Sequence, residues 1–284
     1  MNTPTTLIED AVPARRGKPV LSWRRNASWL RPIISISMVL LAWEFACALG
    51  WINKALIPPP STIFAGLWLQ AGPDGHPPYA LWGHAGKSLY RILAGMGLAI
   101  VVGSVIGLLI GMTRWGRRIF QPIVSAMLPI PTLAWTPILL LIFGIDDRTT
   151  ITVVFLAASF QIIYNVAAGL DALSEKPFWV AQSMGASRLR CVWIVALPGI
   201  FPFLITGIKL GIGFAWRSLI AAEMLAASSF GLGFMIFDAV EYLSMDTIFG
   251  GILMIAALGF LLENVIMGRI EKVTIKRWGV QVER

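Results

Sequence analysis

Three ionisable side chains, Lys209, Arg217 and Glu223, stand inside a long apolar stretch of this sequence. A charge at the centre of a lipid bilayer costs about 2.5–3.5 kcal/mol even on insertion scales, so such groups face a cavity or a partner. At about 100° per residue, Arg217 lies about 80° from Lys209 on a helix, and Glu223 about 40° to the other side of Lys209. All three therefore fall on one third of the circumference. They read either as the lining of a transport pathway or as ion pairs that tie helices together.

Other chemistry is sparse. Ala85-Gly86-Lys87-Ser88 resembles the end of a phosphate-binding loop, but the required first glycine would fall on Leu81. It also leads into an apolar run instead of following a strand, so it reads as a helix start. With no Walker motif, the chain does not itself hold and hydrolyse ATP. His76, His84, Cys47 and Cys191 form no metal-ligand spacing, and no nucleophile–base pair is visible. No catalytic residue, metal or bound cofactor is expected. An ion-coupled carrier is the alternative class, and its intramembrane acids would be Glu44 and Glu223.

The elements that must position these groups are apolar helices. Of 284 residues, 57% are hydrophobic and 13% charged, with a mean hydropathy of +0.75, which excludes an ordinary soluble domain. The expected class is an all-α, polytopic membrane protein with about six transmembrane helices, near 32–51, 88–113, 119–145, 149–170, 199–222 and 247–267. Tails at 1–31 and 269–284 flank a transmembrane domain over 32–268. Between the first two spans, the Pro- and Gly-rich stretch 53–86 reads as a loop with a short helix near 62–69.

Within the second span, Gly95, Gly103, Gly107 and Gly111 recur at multiples of four and line one helix stripe, where small residues let two backbones approach in lipid. The third span carries Pro122, Pro129, Pro131 and Pro137. A helix broken at membrane depth marks the transport path in carriers, and a plain kink is the other reading. Pro131 and Pro137 join the pathway candidates.

The stretch 174–198 is the main polar interruption in the second half. Ser174 can cap a helix, Pro177 is tolerated in its first turn, Gly185 offers a break whose turn a Cβ would obstruct, and Ser187 can cap a second helix that Pro198 disturbs. The result is a helix–turn–helix bracket suited to docking another protein. Counting Lys and Arg on the side of this bracket and both termini gives 17, against four on the other side. The positive-inside rule puts the termini and bracket in the cytoplasm, so the net charge of +8 is an orientation signal and not a nucleic-acid footprint.

This bracket resembles the EAA loop of ABC importer membrane subunits. Ala181, Gly185 and Leu197-Pro198 match that pattern, while Trp179, Val180 and Val195 stand where it has Glu, Ala and Ile. Ile57-Pro58-Pro59-Pro60-Ser61, Pro129 to Trp135, Ala215-Trp216 and Ala221 to Leu225 resemble the nitrate/sulfonate/taurine branch. The resemblance covers about residues 35–280. It implies the type I importer permease fold in a cell inner membrane and a docking surface made by Phe178, Trp179, Ala181, Met184, Gly185, Arg188, Leu197 and Pro198. It also implies a second permease copy, two ABC ATPase subunits carrying ATP and Mg, an external binding protein and a small anionic solute.

Overall fold

The computed structural model describes residues 30–72, 81–227 and 229–278, so most of the N-terminal tail, the loop tip with His76 and the last six residues lie outside it. Two units are distinguished, Met1–Ile52 and Asn53–Arg284. In the first, helix α1 (Leu30–Ala48) is apolar, with Ile36 and Leu41 exposed. It closes at Gly50 (φ +76°), where the Trp51 N–H reaches back to the Ala46 carbonyl, as a left-handed helix cap does.

The second unit begins with α2 (Pro60–Ala71), started by a proline whose missing N–H would be unpaired at that position anyway. Next come α3 (Leu81–Met112), α4 (Arg114–Met127), a 3₁₀ turn (Thr132–Trp135), α5 (Thr136–Phe143) and α6 (Asp147–Ala172). Helix α7 (Lys176–Ser183) precedes α8 (Arg188–Ala226), which is followed by α9 (Leu232–Glu241), α10 (Met245–Phe260) and α11 (Met267–Trp278). A π turn over Leu261–Ile266 joins α10 to α11 without a break, so the last helix runs well into the expected C-terminal tail. Among the described residues four helices are long and apolar enough to span a bilayer, or up to five if the bent pair α4 and α5 is one span.

Helix α6 is the centre of the core. On one side the glycine stripe of α3 meets it: a Cβ on Gly107 would lie 2.7 Å from Val166 Cβ and 3.0 Å from the Ile163 carbonyl oxygen, and one on Gly95 2.7 Å from Val154 Cβ. Gly103 and Gly111 face Ile162 and Leu170 in the same way. On the other side Gly211 of α8 abuts the backbone of Ala158. Backbones this close gain dispersion contacts that larger side chains would prevent. Ile92 and Met96 of α3, Val154 and Ile162 of α6, and Ala215 and Leu219 of α8 form the buried centre.

Pro198 does not end the second helix of the bracket. The five residues before Leu197-Pro198, Val192–Ala196, widen into a π turn in which the Leu197 N–H bonds the Val192 carbonyl. The wider turn makes room for the proline ring, so bracket helix and fifth span form one rod.

Candidate functional site

At the bracket, α7 ends in a left-handed cap. The Gly185 N–H bonds the Gln182 carbonyl at 2.9 Å and the Ala186 N–H bonds that of Ala181 at 3.0 Å. Gly185 has φ +85°, and a Cβ added there would meet nothing within 4 Å, so the backbone dihedral, not space, demands glycine. Ser187 accepts from the Arg190 N–H, capping α8. Trp179, Val180 and Met184 are exposed, Met184 to 83%, as are Arg188 and Leu189. Ala181, Leu197 and Pro198 are half-buried. Phe178 packs back onto the core and helps line a cleft of about 240 Å³ with Leu173, Pro177, Ile194 and Val195. The bracket thus offers apolar side chains outward from a short, well-capped frame.

At the opposite end of the same helices lies a buried polar cluster. Glu223 is fully buried and accepts from Arg91 Nη1 at 2.8 Å, Ser88 Oγ at 2.8 Å and the Gly233 N–H at 3.0 Å. Arg91, 1% exposed, also donates through Nε and Nη2 to Asp147, which Lys87 reaches at 2.5 Å. Ser88 accepts from the Leu232 N–H, so this cluster caps the start of α9. Gly231 packs directly against the Arg91–Glu223 pair: at φ +147° a Cβ there would sit 2.6 Å from Arg91 Nη1 and 2.8 Å from Glu223 Oε1. The cluster joins α3, α6, α8 and α9.

Sequence reasoning singled out Glu223 and missed Ser88, Arg91 and Asp147. A usable signal existed: His84, Ser88 and Arg91 follow the four-then-three spacing of one helix face entering an apolar run. The three charges of α8 share a side of that helix but not a partner. Lys209 pairs with Glu271 at 2.5 Å and Arg217 meets Glu263 at 3.3 Å, both on the C-terminal helical segment, while Glu223 turns to α3.

The third feature is the break between α4 and α5, whose axes differ by 97°. Pro129 and Pro131 flank it and donate no hydrogen bonds, and Pro137 lies in the first turn of α5. Pro131 and Pro137 are exposed, and Thr132 at the elbow hydrogen-bonds Ser218 of α8 at 2.6 Å.

Comparison with known proteins gives this geometry a family. Residues 99–278, which include the broken span, the bracket and α8, match the binding-protein-dependent transport system inner membrane component family. The chain belongs to that family. Over 259 residues the permease is 34% identical to the taurine transport system permease protein TauC of Escherichia coli (strain K12), covering 91% of this chain and 93% of the relative. It is 28% identical to the nitrate import permease protein NrtB of Synechocystis sp. (strain ATCC 27184 / PCC 6803 / Kazusa), covering 89% and 92%. A solved structure of the MetNI methionine ABC transporter, described as inward facing, superposes with a TM-score of 0.57 at 17% identity, over 77% of this permease and 98% of that chain. That likeness bears on the fold, which is that of a type I ABC importer permease.

Proposed function

We propose that this permease forms the membrane pathway of an ATP-driven importer for a small oxyanion, with a separate ATPase docking on the bracket around Gly185. The observation that carries the reading is the continuity of bracket and span. The exposed apolar surface of Trp179, Val180 and Met184 sits at the head of a 39-residue helix, Arg188–Ala226. A force applied to α7 therefore passes through the capped Gly185 turn into α8 and along it to Arg217 with no further break. Trp179 takes the position of a family glutamate, so the contact with the ATPase is apolar there.

Two permease copies, each engaging one ATPase subunit through its bracket, would be drawn together when ATP closes the ATPase pair. An external binding protein supplies the solute to the opened pathway. Both termini and the bracket face the cytoplasm, in line with the Lys and Arg distribution. The pathway includes Arg217, Pro131 and Pro137, whereas Glu223 serves it from within the wall. The relatives' printed substrates, taurine, aliphatic sulfonates, nitrate and bicarbonate, share an oxyanion group, which supports that solute class.

The test is co-purification. The tagged permease, co-expressed with its neighbouring ATPase, retains it and shows vanadate-sensitive ATP hydrolysis. Gly185→Val, which cannot adopt the left-handed dihedral cheaply, loses the ATPase, and Gly185→Asn, which tolerates it, keeps most of it. Solute accumulation in vesicles holding this polypeptide alone would overturn the proposal.

A further inference from the structure

We infer that one face of α4, carrying Arg114, Arg117, Arg118, Gln121 and Ser125, lines an aqueous vestibule on the bracket side of the solute pathway and draws anions through it. The inference deepens the importer reading and rests on its orientation. At about 100° per residue these five side chains fall within one arc of about 100°, and all are exposed. Gly116, Phe120 and Val124 share a second arc of about 80° and pack inward. A Cβ on Gly116 would run into the Leu109 carbonyl, and Val124 is buried in one cluster with Ile110 of α3 and Ile163 of α6. Trp115, Ile123 and Ala126 fill the remaining sector and are exposed. Helix α4 therefore has three faces: one turned to its own subunit, one apolar and fit for lipid tails, and one polar.

The polar face continues past the depth that lipid headgroups can serve. Arg117 pairs with Asp171 near the end of α6, Val124 shares its cluster with Ile163 further back along α6, and Thr132, past the end of α4, reaches Ser218 of α8. Helix α4 thus climbs antiparallel to α6, which puts Ser125 roughly 12 Å beyond Arg117. Arginines at the base can extend to headgroup level, but the shorter Gln121 and Ser125 side chains cannot. Pro122 adds to the demand, because it has no N–H for the Arg118 carbonyl. Polar groups at that depth need water or protein. Among the described residues only Arg117 of the five has a side-chain partner, so Arg114 and Arg118 keep their charge uncompensated. Two free cations at the mouth of a wet groove raise the local concentration of anions. The face leads to the elbow, where Pro129 and Pro131 are exposed, and so joins the break assigned to the pathway.

The experiment labels Gln121→Cys, Ser125→Cys and Ile123→Cys in the full-length permease, co-expressed with its ATPase, in right-side-out and inverted membrane vesicles. The unaltered chain, whose Cys47 and Cys191 are both buried, is the background. The probes are the anionic sulfonatoethyl and the cationic trimethylammonioethyl methanethiosulfonates. In inverted vesicles Gln121→Cys and Ser125→Cys should react about tenfold faster or more than Ile123→Cys, because a thiol among lipid tails stays protonated. Their anion-to-cation rate ratio should exceed that of a free thiol in solution. Arg118→Gln should lower the ratio at Gln121→Cys about threefold, as loss of a unit charge within about 8 Å predicts in salt, and Arg118→Lys should retain it. Asp171→Asn, which releases Arg117, should raise it, and this variant serves if Arg118→Gln does not fold. Silence of Gln121→Cys and Ser125→Cys, the result if lipid tails or a second copy cover the face, overturns the inference. So does one rate for all three cysteines, or a ratio indifferent to both charge variants. Labelling in right-side-out vesicles alone would overturn the orientation as well, whereas silent cysteines leave ATPase co-purification, and with it the importer reading, standing.

Discussion

Removing the Glu223 carboxylate gives the sharpest test of how the helix ends opposite the bracket are held. In Glu223→Ala three donors lose their acceptor: Arg91 Nη1, the Ser88 hydroxyl and the Gly233 N–H, all buried. Asp147 still holds the other edge of Arg91, so the guanidinium is not left wholly unpaired. Breaking one partner of a buried ion pair costs about 3–5 kcal/mol. For a domain of this size that corresponds to a drop of roughly 6–20 °C in melting temperature. The exposed Arg217–Glu263 pair is worth about 0–1 kcal/mol, so Arg217→Gln should shift melting by no more than a few degrees. Fluorescence-detected size exclusion of heated, detergent-purified permease measures both. The double variant Arg91→Met/Glu223→Met removes both charges and leaves Asp147 to Lys87, and it should melt above Glu223→Ala but below the parent, because the Ser88 hydroxyl and the Gly233 N–H still lack their acceptor. If Glu223→Ala melts within about 2 °C of the parent, or if Arg217→Gln is the more damaging change, the reasoning about burial and pairing fails.

The same assay checks the remaining expectations. Gly107→Ala drives a methyl against Val166 and the Ile163 carbonyl and should destabilise by about 1–3 kcal/mol, whereas Gly97→Ala, with nothing within 4 Å, should be neutral or gain about 0.5–1 kcal/mol of helix stability. Gly231→Ala combines an unfavourable dihedral, about 1–3 kcal/mol, with a methyl forced against both Arg91 and Glu223, and should fall with the Glu223 variant. Lys209→Met, at a part-exposed pair with Glu271, should change melting by about 1 kcal/mol or less.

The glycine stripe, the helix–turn–helix bracket with Gly185 at its corner, and an interruption of the third span at its prolines were legible, though not whether that interruption was a kink or a break, because each depends on residues within a few turns of one another. A helix places every fourth residue on one face whatever lies opposite, and an αL cap or a missing N–H is a local property of the chain. Apolar length, likewise, determined that long helices would cross lipid, since in a bilayer each helix must satisfy its own backbone. Where those helices begin and end was less legible: α8 starts inside the bracket because a π turn absorbs Pro198, and hydropathy carries no trace of that turn.

Partner choice was decided by packing alone. Lys209, Arg217 and Glu223 look alike as charges in an apolar run, yet two pair with the C-terminal helical segment and the third with Arg91, 132 residues away in sequence. Phe178 and Trp179 are adjacent apolar residues of one short helix, yet one packs on the core and the other stays exposed. The sequence by itself determined which groups would need a counterpart, because desolvation depends on residue type. Only the tertiary structure could decide which counterpart each one met, because that depends on which helices approach at glycine contacts and at what depth.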